Sequence, residues 1–259
     1  MMQKVVSKDG TTIAYEKIGE GPPLILLGGG FRDHTAFSTL VPDLAPHLTT
    51  YTYDRRGRGE SGDAPTYTIQ KEVEDIEALI AEAGGEAAVF GGSSGGMLAL
   101  EAAMTGSKIS KLALMEPPYR LPGYEKQPPE FGQTLRALLK QEKRTEACEY
   151  FLAKMAGFAP EEIEAWKAGP MWTANEAMAH TLAYDTAILE QSDVPVERLS
   201  RTRTPVLIIN SDSTSEWLLE GAKAAAAALP NGRQVSLPGV WHKVPPEVLA
   251  PALIEFVTG

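Results

Sequence analysis

The sequence predicts an α/β fold: a mostly parallel central sheet flanked by helices and interrupted by a helical insertion. Three observations carry this. Short apolar runs alternate with segments of helical period at both ends of the chain. From roughly residue 128 to 191 the patterns are helical, with no convincing strand. The 259 residues are 43% hydrophobic, enough for one sizeable core or one core with a small appended subdomain.

The chain opens on a hairpin pattern, KVVS and TTIAYEKIG around Asp9-Gly10, a dipeptide suited to a tight turn. After Pro22-Pro23, the apolar run Leu24 to Leu27 suits a strand covered on both faces. TTYTYD (49–54) is a strand running into the polar, glycine-rich DRRGRGESG. Ile69, Val73, Ile76 and Ile80 recur at helical spacing, and Gly84-Gly85 stop that helix. AAVFG (87–91) is a strand, MLALEAAM (97–104) a helix, and KLALME (111–116) a strand ended by Pro117-Pro118. TLRALLKQEKRTEACEYFLAKMA and NEAMAHTLAYDTAILEQ are the clearest helical patterns of the insertion. PVLIIN (205–210) resumes the sheet, EWLLEGAKAAAAAL is a helix and RQVSLPG (233–239) a last strand. PPEVLAPALIEFV closes the chain as a helix with proline in its first turn. These segments give a core of residues 1–118 and 203–259, with residues 119–202 as a helical cap over one end of the sheet.

With 24 basic and 34 acidic side chains the net charge is −10, which disfavours nucleic acid and anionic membrane as partners. A small-molecule substrate is expected, on a monomer or homodimer. Cys148 is the single cysteine, so no intramolecular disulfide can form. The N-terminus lacks a signal-peptide pattern and no run of about 18 apolar residues occurs, so a cytoplasmic protein with no membrane span is expected.

The stretch VFGGSSGG (89–96) lies between an apolar strand and an apolar helix. In that context G-x-S-x-G forms a strained elbow that holds a serine hydroxyl above the sheet edge. Two frames fit, Gly91-x-Ser93-x-Gly95 and Gly92-x-Ser94-x-Gly96. The apolar run ends at Phe90, and one glycine plus one residue then lead to the nucleophile, which selects Ser93. A serine nucleophile needs a base. His180 falls inside the insertion, His47 precedes a strand at the far end of the sheet, and His34 sits beside Asp33 in a loop it could fix. His242 follows the last strand, at the sheet end where sites form, and is the expected base.

Four motifs, LILLGGGFRDH, YDRRGRGESG, VFGGSSGG and LPGVWH, resemble those of the α/β-hydrolase superfamily over nearly the whole chain, in particular small bacterial serine hydrolases with a helical cap. The resemblance implies Ser93 as nucleophile and His242 as base. It places the backbone N–H of Ser94 in an oxyanion hole, together with that of Gly30 or, alternatively, its neighbour Phe31. Two positions depart from the usual pattern: Gly28 and Gly92 stand where histidines are common.

The acid of such a triad commonly lies in the loop after PVLIIN, where the alignment puts Thr214 at the aspartate position. Asp212 comes too early and Glu216 begins a helix. Glu116 ends the preceding strand, a position some members of the superfamily use. Burying a carboxylate there is costly without a partner, so Glu116 is preferred and Asp212 is the alternative. Asp54, Arg55, Arg56 and Arg58 are expected to pair with one another and with loop carbonyls. Phe31, Arg32, Trp172, Tyr184 and Trp217 are candidate pocket residues. No His/Cys cluster has metal-ligand spacing and no dinucleotide or phosphate loop is present, so no cofactor or metal is expected.

The expected activity is hydrolysis of a carboxylic ester or lactone through an acyl-enzyme, with a Ser-His-Glu triad. A cofactor-free lyase or oxygenase, or a C–C bond hydrolase, could use the same Ser/His pair. A non-enzymatic ligand receptor is the remaining alternative. A serine at position 93 excludes the haloalkane dehalogenase and epoxide hydrolase routes, which need a carboxylate nucleophile.

Overall fold

The computed structural model describes residues 2–124 and 127–259; Met1, and Glu125 and Lys126 of the predicted cap, lie outside the described residues. Eight strands form one sheet in the order β1-β2-β4-β3-β5-β6-β7-β8. β1 (Gln3–Val6) and β2 (Thr12–Ile18) are the expected hairpin, and β2 is antiparallel to β4 (Thr49–Tyr53). The remaining strands, β3 (Pro23–Leu27), β5 (Ala87–Gly92), β6 (Ile109–Met115), β7 (Val206–Ser213) and β8 (Gly232–Val240), make parallel pairings from β4 to β8.

The apolar run of β3 is explained by two cores. Ile25 and Leu27 pack in one cluster with Val73 and Ile76, while Leu24 and Leu26 pack in another with Leu44 and Leu253. Alternate side chains thus enter opposite layers, as a strand buried on both faces requires. The first layer contains α2 (Ile69–Glu82) and α3 (Ser94–Thr105); the second contains α1 (Val41–Leu44) and, at the other end of the chain, a helix described below. Thr68 caps α2 by accepting the Lys71 N–H, and Gly84 and Gly85, both at positive φ, end it.

Between β6 and β7 the described residues are helical: α4 (Phe131–Lys140), α5 (Arg144–Phe151), α6 (Pro160–Lys167), α7 (Trp172–Ala177), α8 (Leu182–Leu189) and α9 (Val196–Leu199). Strand pairing there is limited to one isolated bridge, Arg120 to Asp193, among the described residues. α10 (Glu216–Ala228) lies between β7 and β8, and α11 (Pro246–Thr258) closes the second layer. β7 extends three residues past the apolar run, because Ser211 still pairs with Leu237 of β8. Among the described residues, no helix is long and apolar enough to cross a membrane.

Candidate active site

β3, β5, β6 and β8 all deliver their carboxyl ends to one edge of the sheet, and each is followed there by a residue with unusual backbone. Phe31, Ser93, Glu116, Trp241 and His242 all have positive φ without being glycine. Such strain persists only where the surroundings over-determine it, and it clusters at functional sites.

Ser93 sits at the turn from β5 into α3 with φ 53° and ψ −127°, and its N–H donates to the Met115 carbonyl at 2.9 Å. The turn is tight. A Cβ on Gly91 would lie 2.7 Å from the Gly95 carbonyl oxygen, and one on Gly95 2.6 Å from the Gly28 carbonyl oxygen. Gly96 is also crowded, 2.9 Å from the Gly91 carbonyl oxygen, but Gly92 has open space. The need for glycine therefore follows the Gly91-x-Ser93-x-Gly95 frame. Among the described residues the N–H groups of Ser94 and Gly30 have no acceptor within the chain. For Ser94 this follows from its place in the first turn of α3, where the helix offers no partner.

Glu116 follows β6 and is fully buried. Its Oε1 accepts the Ser211 N–H at 2.8 Å and the Ser211 hydroxyl at 2.6 Å; its Oε2 accepts the His242 N–H at 2.7 Å. His242 Nδ1 lies 2.7 Å from Oε2, in close contact but outside straight hydrogen-bond geometry. Burial alone would raise the Glu116 carboxyl. The His242 side chain and the two Ser211 donors outweigh it and hold the carboxyl at about 2, well below the usual 4.5. A carboxylate facing Nδ1 favours the tautomer with the proton on that nitrogen, which leaves Nε2 as the basic one. The alternative acid, Asp212, is exposed and accepts from the Gly239 N–H at 3.1 Å.

Ser93 and His242 line the same cavity, of about 950 Å³, with Gly30, Phe31 and Ser94. Aromatic rings meet along its wall: Phe31 against Trp166, Trp166 against Phe158, Phe158 against Trp241, and Trp241 against His242 at 4.5 Å between centroids. Arg32 and Trp217 also line it, as expected. Trp172 and Tyr184 do not. Trp172 is buried in the first core cluster, and Tyr184 stacks on Tyr67 at 4.1 Å while its hydroxyl donates to Asp63. A smaller cavity of about 240 Å³, lined by Tyr119, Glu101 and Arg198, contains neither Ser93 nor His242.

The arginines of DRRGRG do not pair within their own loop. Arg55 donates to Glu72 at 2.7 and 2.6 Å and to Asp185 at 2.7 Å, and Arg56 donates to Asp75 and Asp9. Arg58 donates to Asp185 at 2.7 Å and to carbonyls of the loop after β3 rather than its own, those of Gly29 at 2.6 Å and Arg32 at 3.0 Å. Asp54 accepts the His34 N–H and faces His34 Nδ1, both at 2.8 Å. Guanidinium groups repel one another, so acids brought in from α2 and α8 neutralise them. Asp33, His34 and Asp54 form the one group of ligand-type side chains close enough to share a metal ion among the described residues. Their carboxylates already accept from Thr35, His34 and Glu60, so the cluster closes the loop with its own hydrogen bonds. Asp185, Ser211, Glu72 and Asp75 are among the buried polar residues of this region that the sequence did not single out.

Comparison with known proteins agrees with this architecture. Residues 24–252 match the alpha/beta hydrolase family. A solved alpha/beta hydrolase from Sphaerobacter thermophilus DSM 20745 is 41% identical, with a TM-score of 0.95 over 99% of this chain and 100% of that one. The pimeloyl-[acyl-carrier protein] methyl ester esterase of Xanthomonas campestris pv. campestris is 29% identical over 234 residues, 87% of this chain and 89% of its own length. The enol-lactonase from Burkholderia xenovorans LB400 shares the fold, with a TM-score of 0.76 at 20% identity over 99% of this chain and 100% of that one. With its elbow, its strand order and a family match over most of its length, the chain belongs to the alpha/beta hydrolase family.

Proposed function

We propose that the protein hydrolyses a carboxylic ester or lactone through an acyl-enzyme on Ser93. The observation that carries this reading is the sharing of one cavity by Ser93, on its strained elbow, and His242, whose Nδ1 faces the buried Glu116 at 2.7 Å. His242 Nε2 takes the Ser93 proton as Oγ bonds to the carbonyl carbon. The carbonyl π electrons move to oxygen, and the N–H groups of Ser94 and Gly30 stabilise that oxyanion. The oxyanion collapses, the C–O bond to the alcohol breaks, and His242 returns the proton to the leaving alkoxide. Water, deprotonated by the same nitrogen, then releases the acid and regenerates Ser93. Glu116 stabilises the imidazolium in both halves.

The aromatic wall suits a substrate with an apolar portion. The ester-cleaving relative and the fold shared with an enol-lactonase support this bond type. Hydrolysis of p-nitrophenyl butyrate tests it. Turnover abolished in Ser93→Ala is the expected result. Turnover retained in Ser93→Ala would replace this reading with one in which His242 acts as a base alone, as in a lyase.

A further inference from the structure

Asp185 lies on α8, far from the Ser93 elbow in sequence, yet it is fully buried beside it. Its Oδ1 accepts the Ser94 hydroxyl at 2.7 Å and Arg55 Nη1 at 2.7 Å; its Oδ2 accepts Arg58 Nη2 at 2.7 Å. The other end of the Arg58 fork donates to the Gly29 carbonyl at 2.6 Å and the Arg32 carbonyl at 3.0 Å. Arg58 Nε is taken up by Thr181 Oγ1 at 3.2 Å. A Cβ added at Gly30 would come within 3.7 Å of Asp185 Oδ2, so the carboxylate lies directly against this loop.

In a trans peptide the carbonyl of one residue and the N–H of the next point in opposite directions. Fixing the Gly29 carbonyl on Arg58 therefore fixes the direction of the Gly30 N–H. The Ser94 side chain is tied to the same carboxylate. We propose that Asp185 is a positioning residue for the oxyanion site: through Arg58 it orients the Gly29–Gly30 peptide, and directly it anchors Ser94, so both N–H donors rest on one carboxylate supplied by the inserted helices. This rests on the serine-hydrolase reading above.

The charges explain why an ionised group is needed. Arg55 and Arg58 bring two positive charges into a site where Glu72 and Asp185 bring two negative ones. A neutral side chain at 185 leaves Arg58 without a counter-charge, and the guanidinium then has reason to leave the Gly29 carbonyl.

The test uses Ser94→Ala, which keeps the backbone N–H and removes only the hydroxyl tether, and Asp185→Asn, which keeps the shape. Readouts are kcat and KM for p-nitrophenyl butyrate and the inhibition constant of a trifluoromethyl ketone, which forms a tetrahedral adduct on the serine. Misplacing the donors is expected to lower kcat by about 10- to 100-fold with KM within about twofold, and to weaken the ketone by the same factor. A packing defect would not make the ketone track kcat/KM in this way. Both variants folded by circular dichroism and within about twofold of the native enzyme would overturn the proposal. A fall in kcat with unchanged ketone inhibition would also overturn it. If Asp185→Asn fails to fold, Ser94→Ala decides alone. Turnover retained in Ser93→Ala sinks the serine-hydrolase reading itself, whereas an inactive Ser93→Ala beside fully active Ser94→Ala and Asp185→Asn sinks only the positioning role.

Discussion

Replacing Glu116 with glutamine keeps the length of the side chain and removes its charge. In the native chain Oε1 receives two donors from Ser211, and Oε2 receives the His242 N–H and faces Nδ1. Glutamine has one oxygen. Turned toward Ser211, it presents its amide N–H groups to the backbone N–H of His242; turned toward His242, it presents them to the N–H of Ser211. Either way a buried donor loses its acceptor, at about 1–3 kcal/mol of stability. The effect on turnover is larger. The Glu116 carboxyl is held at about 2 instead of 4.5. That depression favours the anion and is shared between His242 and the two Ser211 donors, so only the His242 part is lost from the imidazolium-forming step, at an expected cost of at least about tenfold in rate. A histidine that also adopts the wrong tautomer brings the loss toward about 10⁴-fold. Initial rates with p-nitrophenyl butyrate and urea unfolding followed by tryptophan fluorescence measure the two effects separately. A folded Glu116→Gln protein retaining more than about a tenth of native kcat/KM would refute the reasoning. So would Asp212→Asn losing activity while Glu116→Gln keeps it.

Three further outcomes follow from the same contacts. Because the Glu116 carboxyl is depressed on folding, its contribution to stability is present above about pH 4.5 and is lost as pH falls toward 2. Urea midpoints are therefore expected to drop more steeply over that window in the native chain than in Glu116→Gln. Gly91→Ala, whose Cβ would meet backbone atoms at 2.7 and 2.8 Å, is expected to cost about 1–3 kcal/mol in thermal unfolding, against within about 0.5 kcal/mol for Gly92→Ala. Equal losses at the two positions would count against the close-packed elbow. The Cys148 thiol is buried and pushed up to about 12, so a disulfide reagent is expected to leave it unmodified until the chain is unfolded.

The triad candidates read from the sequence share one property: each lies within two residues of the carboxyl end of a strand, and for Ser93 and Glu116 that strand is short and apolar. Ser93, Glu116 and His242 follow β5, β6 and β8, and a parallel sheet brings those ends together whatever the loops do. Asp185 has no such marker. It lies in LAYDTAIL, where helical period distinguishes nothing about an acid, and its partners are 91 and 130 positions away at Ser94 and Arg55. Ser211 was hidden for a related reason. The apolar run ends at Asn210, and only the register of β7 with β8 carries its N–H to Glu116. Trp172 and Tyr184 were misjudged because an aromatic on an inserted helix reads the same whether it faces a cavity or a neighbouring ring. In Tyr184 the stacking on Tyr67 decides.

The proposed chemistry requires one serine of the pair at 93 and 94 to be the nucleophile and to depend on His242. Intact-mass and peptide-mass analysis after reaction with a fluorophosphonate measures this most directly. A single adduct on Ser93 is expected in the native protein, and none at the same exposure in His242→Ala. An adduct on Ser94, or labelling that persists undiminished without His242, would contradict it.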